Sequence, residues 1–109
     1  MNAYEIDLLH WSKLSIFEQM GNIYSEVGRS HNAKRNNDMK ACQQATFRAI
    51  DLFDTTVDVL SQQKSPRAKE VLRAKDQFLH TIYDDVSKEN IESLDHYFLN
   101  FAIAARLNR

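Results

Sequence analysis

One cysteine, one proline and two glycines in 109 residues leave this chain short of the materials that several fold classes require. The lone Cys42 can neither close an internal disulfide nor supply a cysteine cluster for zinc. So little glycine and proline leaves almost nothing to build the turns of an all-β fold, and helices become the expectation. No stretch rich in Pro, Gly or Ser divides the chain, so 1–109 reads as one domain. Glycine-rich phosphate loops and nucleophile elbows, which need glycine at fixed offsets, do not occur. Charged or amide side chains interrupt every apolar run well before the roughly 18 residues of a membrane span, so no membrane partner is expected. A formal net charge of −1 removes bulk basicity as an argument for nucleic-acid binding and leaves only local patches. The first residues lack the basic stretch and apolar run of a secretory leader, which with the single cysteine predicts a cytoplasmic location.

What the chain does contain is ordinary globular stock: 43% hydrophobic and 27% charged residues, enough for a core without disulfide or metal staples. Four long segments carry apolar residues at helical spacing. Ser15 and Glu18 form a capping box, and Ile16, Met20, Ile23, Val27 and His31 follow at a period of 3.6, predicting a helix over 15–35. Asn37 or Asp38 can cap a second helix over 38–63, with Cys42, Ala45, Ala49, Leu52, Phe53, Thr56, Val57 and Leu60 on one stripe. Ser65 followed by Pro66 predicts a third, over 66–85, with proline at the first helical position. Ser87 offers the cap of a fourth, over 88–108, carrying Ile91, Leu94, Phe98, Phe101 and Ala105. Connections of a few residues make consecutive helices antiparallel neighbours, so the expected architecture is all-α, an up-down-up-down four-helix bundle. A shorter helical segment, 4–11, precedes it.

Three features go beyond a plain bundle. Gly21, Ser25 and Gly28 form a stripe of small residues, which predicts close approach of another helix to offset the cost of mid-helix glycine. Leu99, Ile103 and Leu107 form a second apolar stripe on the last helix, away from its core face. Either the N-terminal segment, with Ile6, Leu8, Leu9 and Trp11, folds back over that stripe, or a second copy of the chain covers it. Phe47, which also points away from its helix's core face, inclines the reading toward a homo-oligomer. Lys75 sits within the apolar arc of the third helix, where it either snorkels to water or pairs with an Asp of the second, Asp54 being best placed.

Charge is unevenly distributed. Lys64, Arg67, Lys69, Arg73 and Lys75 begin the third helix, and Arg106 and Arg109 end the fourth, so the topology gathers them at one pole. Cations at a helix N-terminus oppose its dipole, so the group on the third helix is not there to stabilise it, and Lys64, Arg67, Lys69 and Arg73, with Arg106 and Arg109 at the same pole, become candidates for contact with an anionic protein or nucleic acid. At the other pole Arg29, Lys34, Arg35 and Lys40 are expected to neutralise Asp84, Asp85, Glu89 and Glu92.

The Glu-x-x-His pairs of di-iron and dimanganese bundles do not occur. The acid and histidine pairs present, Asp7 with His10, Asp76 with His80 and Glu92 with His96, have the spacing of surface pairs, so no metal or cofactor is expected. Cys42, on a core stripe, reads as inert. Arg73 and His80 lie two turns apart on one face of the third helix. The pair resembles the Arg-x(4 to 6)-His motif of HEPN-superfamily ribonucleases, with Ala74 where that family carries a polar residue. The resemblance implies an arginine that holds an RNA phosphodiester and a histidine that acts as general base on the 2′-hydroxyl, without metal.

A second resemblance covers about residues 10 to 106. Gly21-Asn22-Ile23, Ser25-Glu26-Val27 with Arg29, Leu52 with Asp54 and Thr56, Tyr97-Phe98, Phe101-Ala102 and Ala104-Ala105-Arg106 look like a family of uncharacterised small prokaryotic helical-bundle proteins. Their architecture is similar to nucleotidyltransferase substrate-binding subunits and to the accessory bundles of diversity-generating retroelements. The resemblance implies fold and self-association and no catalytic residue. It singles out Asn22, Glu26, Arg29 and Asp54 as polar positions, for which interhelical hydrogen bonding is the expectation. The expected role is that of a non-enzymatic interaction protein.

Overall fold

A computed structural model describes residues 8–84 and 88–107, and every element in them is a helix: α1 (Leu8–Lys13), α2 (Ile16–Arg35), α3 (Met39–Gln62), α4 (Arg67–Tyr83) and α5 (Lys88–Leu107). α2 borders α3 and α5, and α4 borders α3 and, less extensively, α5. That neighbour pattern is the expected antiparallel four-helix bundle, with α1 added against α3.

Local chemistry sets the helix ends. The Ser15 hydroxyl accepts the Glu18 N–H (3.1 Å) and the Glu18 carboxylate accepts the Ser15 N–H (3.0 Å), so the capping box forms as read from sequence. Asp38, not Asn37, caps α3, accepting the Ala41 N–H at 3.1 Å. Asn37 instead occupies the left-handed region (φ 58°) and ends α2: its own N–H bonds Lys34 O and the next N–H, of Asp38, bonds Ala33 O. The same closure ends α3, with Lys64 at φ 55° and the N–H of Ser65 on Leu60 O. Pro66 stands one position earlier than expected, at the cap, and the Ser65 hydroxyl accepts the Arg67 N–H at 3.3 Å. Ser87 lies outside the described residues.

The core is aromatic at its centre. Phe53 of α3, Phe78 of α4 and Phe98 of α5 are wholly buried, and the Phe53 ring centroid lies 5.9 Å from each of the other two. Met20, Ile23 and Val27 close the α2 side. α1 is tied on through Trp11, which is buried, donates its indole N–H to the Thr56 hydroxyl (3.0 Å) and accepts from the Gln19 side chain through its carbonyl (2.9 Å). The described part of the N-terminal segment, Leu8–Lys13, lies against α3; residues 4–7 of the expected 4–11 lie outside the described residues.

The glycine stripe is corrected at Gly28. A Cβ built there meets nothing within 4 Å among the described residues, so no described helix packs against it. Gly28 is half-buried, one residue and about 100° past Val27 of the core face, at an edge of α2 where space is left open.

Candidate functional site

Antiparallel order brings the end of α3 and the start of α4 to one pole, where Lys64, Arg67, Lys69 and Arg73 are all exposed. The side chain of Arg106, and Arg109, lie outside the described residues. The Arg67 guanidinium stands 5.7 Å from the centroid of the Phe17 ring, a cation–π placement. Beside it the Tyr97 hydroxyl donates to Glu70 at 2.8 Å, and burial together with that carboxylate raises the Tyr97 pKa above its ordinary value. An acidic group is thus interleaved with the basic ones.

Arg73 and His80 project from the open side of α4, both exposed and about 10 Å apart along the axis by helical rise. His80 Nδ1 pairs with Asp84, one turn on, in place of Asp76 one turn back.

Leu99 is 39% and Ile103 46% exposed, one turn apart on α5, and the Leu107 side chain lies outside the described residues. Leu99 lines a cavity of about 260 Å³ with Tyr24, Glu92, Asp95 and His96, which places this stripe on the outer α2–α5 side. The described part of the N-terminal segment does not cover it, because Trp11 is anchored to α2 and α3. Phe47 belongs elsewhere. It lies two turns before Asp54 on one side of α3, the side on which Asp54 meets Lys75 of α4. Phe47 (53% exposed) and the Leu99 stripe therefore face opposite sides of the bundle.

Of the polar positions, Lys75 takes the ion-paired alternative, with Nζ 2.7 Å from Asp54 Oδ1 across α3 and α4. Glu26 is buried, and its two oxygens are held by different guanidiniums: Arg29 in its own helix and Arg48 Nε of α3 at 2.6 Å. Asn22 makes no such crossing; it is exposed and donates to the Glu18 carbonyl one turn back. Lys34 likewise departs from expectation: its ammonium donates to the Thr81 and Ile82 carbonyls (2.6 and 3.0 Å), capping α4 from α2.

One titratable side chain lies in the core. His31, on the α2 core stripe, is 2% exposed, and its Nε2 lies 2.7 Å from the Thr81 hydroxyl. That hydroxyl spends its single proton on the Phe78 carbonyl at 2.6 Å, so Nε2–H must donate to it and the neutral ring's Nδ1 is bare. Nδ1 sits 3.3 Å from Asp95 Oδ1, both buried and neither in line for a hydrogen bond. Burial pushes the His31 pKa below its ordinary value, with Asp95 opposing and Arg35 and Lys34 adding to the depression.

Asp84 is legible in the sequence only as one acid of a charged pole, and Asp95 and Arg48 not at all, since their partners are tens of residues away. Among the described residues no group of three or more His, Cys, Asp or Glu side chains converges as for a metal, and no helix is long and apolar enough to cross a membrane. Comparison with family models, with curated proteins and with solved structures finds no match to this chain.

Proposed function

We propose that this protein is a non-enzymatic interaction module that self-associates through the outer face of α5 and offers its basic pole to an anionic partner. The observation that carries the reading is the pair Leu99 and Ile103, large apolar side chains 39% and 46% exposed in line beside a recess of the same face. Exposed apolar area of this kind, rimmed by Glu92 and His96, is what an association surface offers. The affinity of the chain to the small prokaryotic helical bundles, and its cytoplasmic setting, belong to the same proposal. Sedimentation velocity tests it. The wild type should sediment above its 12.7 kDa monomer mass, and Leu99→Glu with Ile103→Glu should return it to monomer without loss of helix signal. A wild type that is monomeric at about 100 µM, a concentration at which a micromolar interface is largely formed, removes the self-association reading.

The metal-independent ribonuclease reading, with Arg73 on the phosphate and His80 as base, draws support from one contact. Asp84 at Nδ1 gives His80 the orientation that a general base requires. Cleavage of RNA by the wild type and its loss in His80→Ala would establish it; equal activity in the two proteins would end it.

A further inference from the structure

The cavity between α2 and α5 has an apolar wall and one carboxylate with no cation to face. It encloses about 260 Å³ and is lined by Tyr24, Glu92, Asp95, His96 and Leu99. Drug-sized ligands occupy roughly 300–1,000 Å³, so this space suits something smaller. The apolar wall is Leu99 with Tyr24, whose ring stacks on the buried Phe98 at 6.2 Å between centroids. Glu92 has an interaction of its own, so the charge that matters here is that of Asp95.

Among the described residues the one ion-pair contact of Asp95 is with His31, and that ring is neutral. Its only N–H, at Nε2, goes to the Thr81 hydroxyl. His31 Nδ1 and Asp95 Oδ1 then stand 3.3 Å apart, both sealed from solvent, two acceptors side by side with no donor for either. A proton on the ring would supply one, but burial opposes the charged ring, and Arg35 and Lys34 oppose it further. The Lys34 ammonium is itself committed to the Thr81 and Ile82 carbonyls. Asp95 is 34% exposed with Oδ1 buried, so its exposure falls on the rest of the side chain, which lines the cavity. A carboxylate held in this way is costly until charge and donors reach it from outside.

We propose that this cavity binds a primary alkylammonium, with Asp95 as its counter-ion. Leu99 and Tyr24 cover the alkyl part, and a turn of the carboxylate lets the ammonium donate one N–H to Asp95 and another to His31 Nδ1. An ammonium carries three donors on one small atom, which matches two adjacent acceptors better than the planar fork of a guanidinium. A metal ion would lack ligands, since among the described residues no third His, Cys, Asp or Glu converges on the pair. Leu99 belongs also to the association face, so a ligand and a second copy compete for it, but the site does not depend on self-association.

The test is an NMR titration at about pH 7.5, above the ordinary histidine value of 6.5, on the full chain and on its Ile103→Glu variant. Ile103 does not line the cavity, so the variant weakens a competing second copy and leaves the site intact. n-Butylammonium and, separately, the N-methylamide of N-acetyl-lysine are added against sodium chloride at matched ionic strength, with 1-butanol as the uncharged equivalent. In the variant n-butylammonium should give saturable shifts at the Leu99 methyls, the Tyr24 ring and the His31 ring nitrogens, and 1-butanol should give none. Saturation by n-butylammonium alone assigns a free amine; saturation by the lysine derivative as well admits a lysine side chain of a partner protein. Asp95→Asn keeps the shape of a partly exposed side chain and offers His31 Nδ1 a donor, so it should keep the helix signal and weaken binding at least about tenfold. Shifts no larger than the chloride control, equal binding of 1-butanol, or a folded Asp95→Asn that binds as well as its parent would each overturn the proposal.

Discussion

Replacing Phe53 by alanine tests the bundle at the point where three of its helices meet. The ring is wholly buried on α3 and lies 5.9 Å from both Phe78 of α4 and Phe98 of α5, so truncation empties a space that no single helix can collapse into. Phenylalanine-to-alanine changes at such sites cost about 3–5 kcal/mol, transfer and cavity contributions together, and two lost ring contacts place this one toward the upper end. A domain of 109 residues has roughly 5–16 kcal/mol of total stability, so the variant should retain half or less of it in many cases. Its midpoint should fall by about 15–30 °C. Urea unfolding followed by circular dichroism measures the loss directly, with Phe47→Ala, 53% exposed, as the control expected within about 0.5 kcal/mol of wild type. Adding Phe98→Ala should reveal a coupling of about 0.5–1.5 kcal/mol with Phe53. A Phe53→Ala loss below about 1.5 kcal/mol, or one equal to that of Phe47→Ala, would mean that α3 presents a different face to the core.

Three further outcomes follow from local geometry and from burial. Lys64 adopts φ 55° at the end of α3, so Lys64→Gly should raise stability by about 1 kcal/mol in the same urea assay; no gain would argue against the left-handed closure. Gly28→Ala, whose new methyl meets open space, should stabilise α2 by about 0.5–1 kcal/mol, and a loss in the melting midpoint would indicate a neighbour that approaches that face. His31 should make stability fall on acidification. Above its ordinary value of 6.5 both states are neutral there; below it the unfolded chain takes up a proton that the buried ring resists, so stability declines until the depressed folded pKa is reached. Urea midpoints at pH 8, 6 and 5 should show this slope in the wild type, and His31→Gln should flatten it; an unchanged slope would assign the effect to other groups.

Apolar residues at a period of 3.6, together with Ser15, Glu18 and Asp38 at their caps, determined by themselves that this chain is four long helices, because both signals act within a few residues. Short connections then left the antiparallel order little freedom. Sequence also offered Asp54 as a partner for Lys75, beside the alternative of a side chain that reaches water, and the structure decided for the pair. Which outward faces lie together was beyond its reach. Phe47 and Leu99 look alike on a helical wheel, yet α4 lies beside one and α2 beside the other. The pairing of Glu26 with Arg48, the bare nitrogen of His31 against Asp95 and the open space over Gly28 all depend on how separate helices rotate about their axes. That rotation is fixed by the packing of Phe53, Phe78 and Phe98 into one another and, for α2, by Tyr24 against Phe98 and His31 against Phe78, and a contact between residues tens of positions apart leaves no periodic trace in the chain.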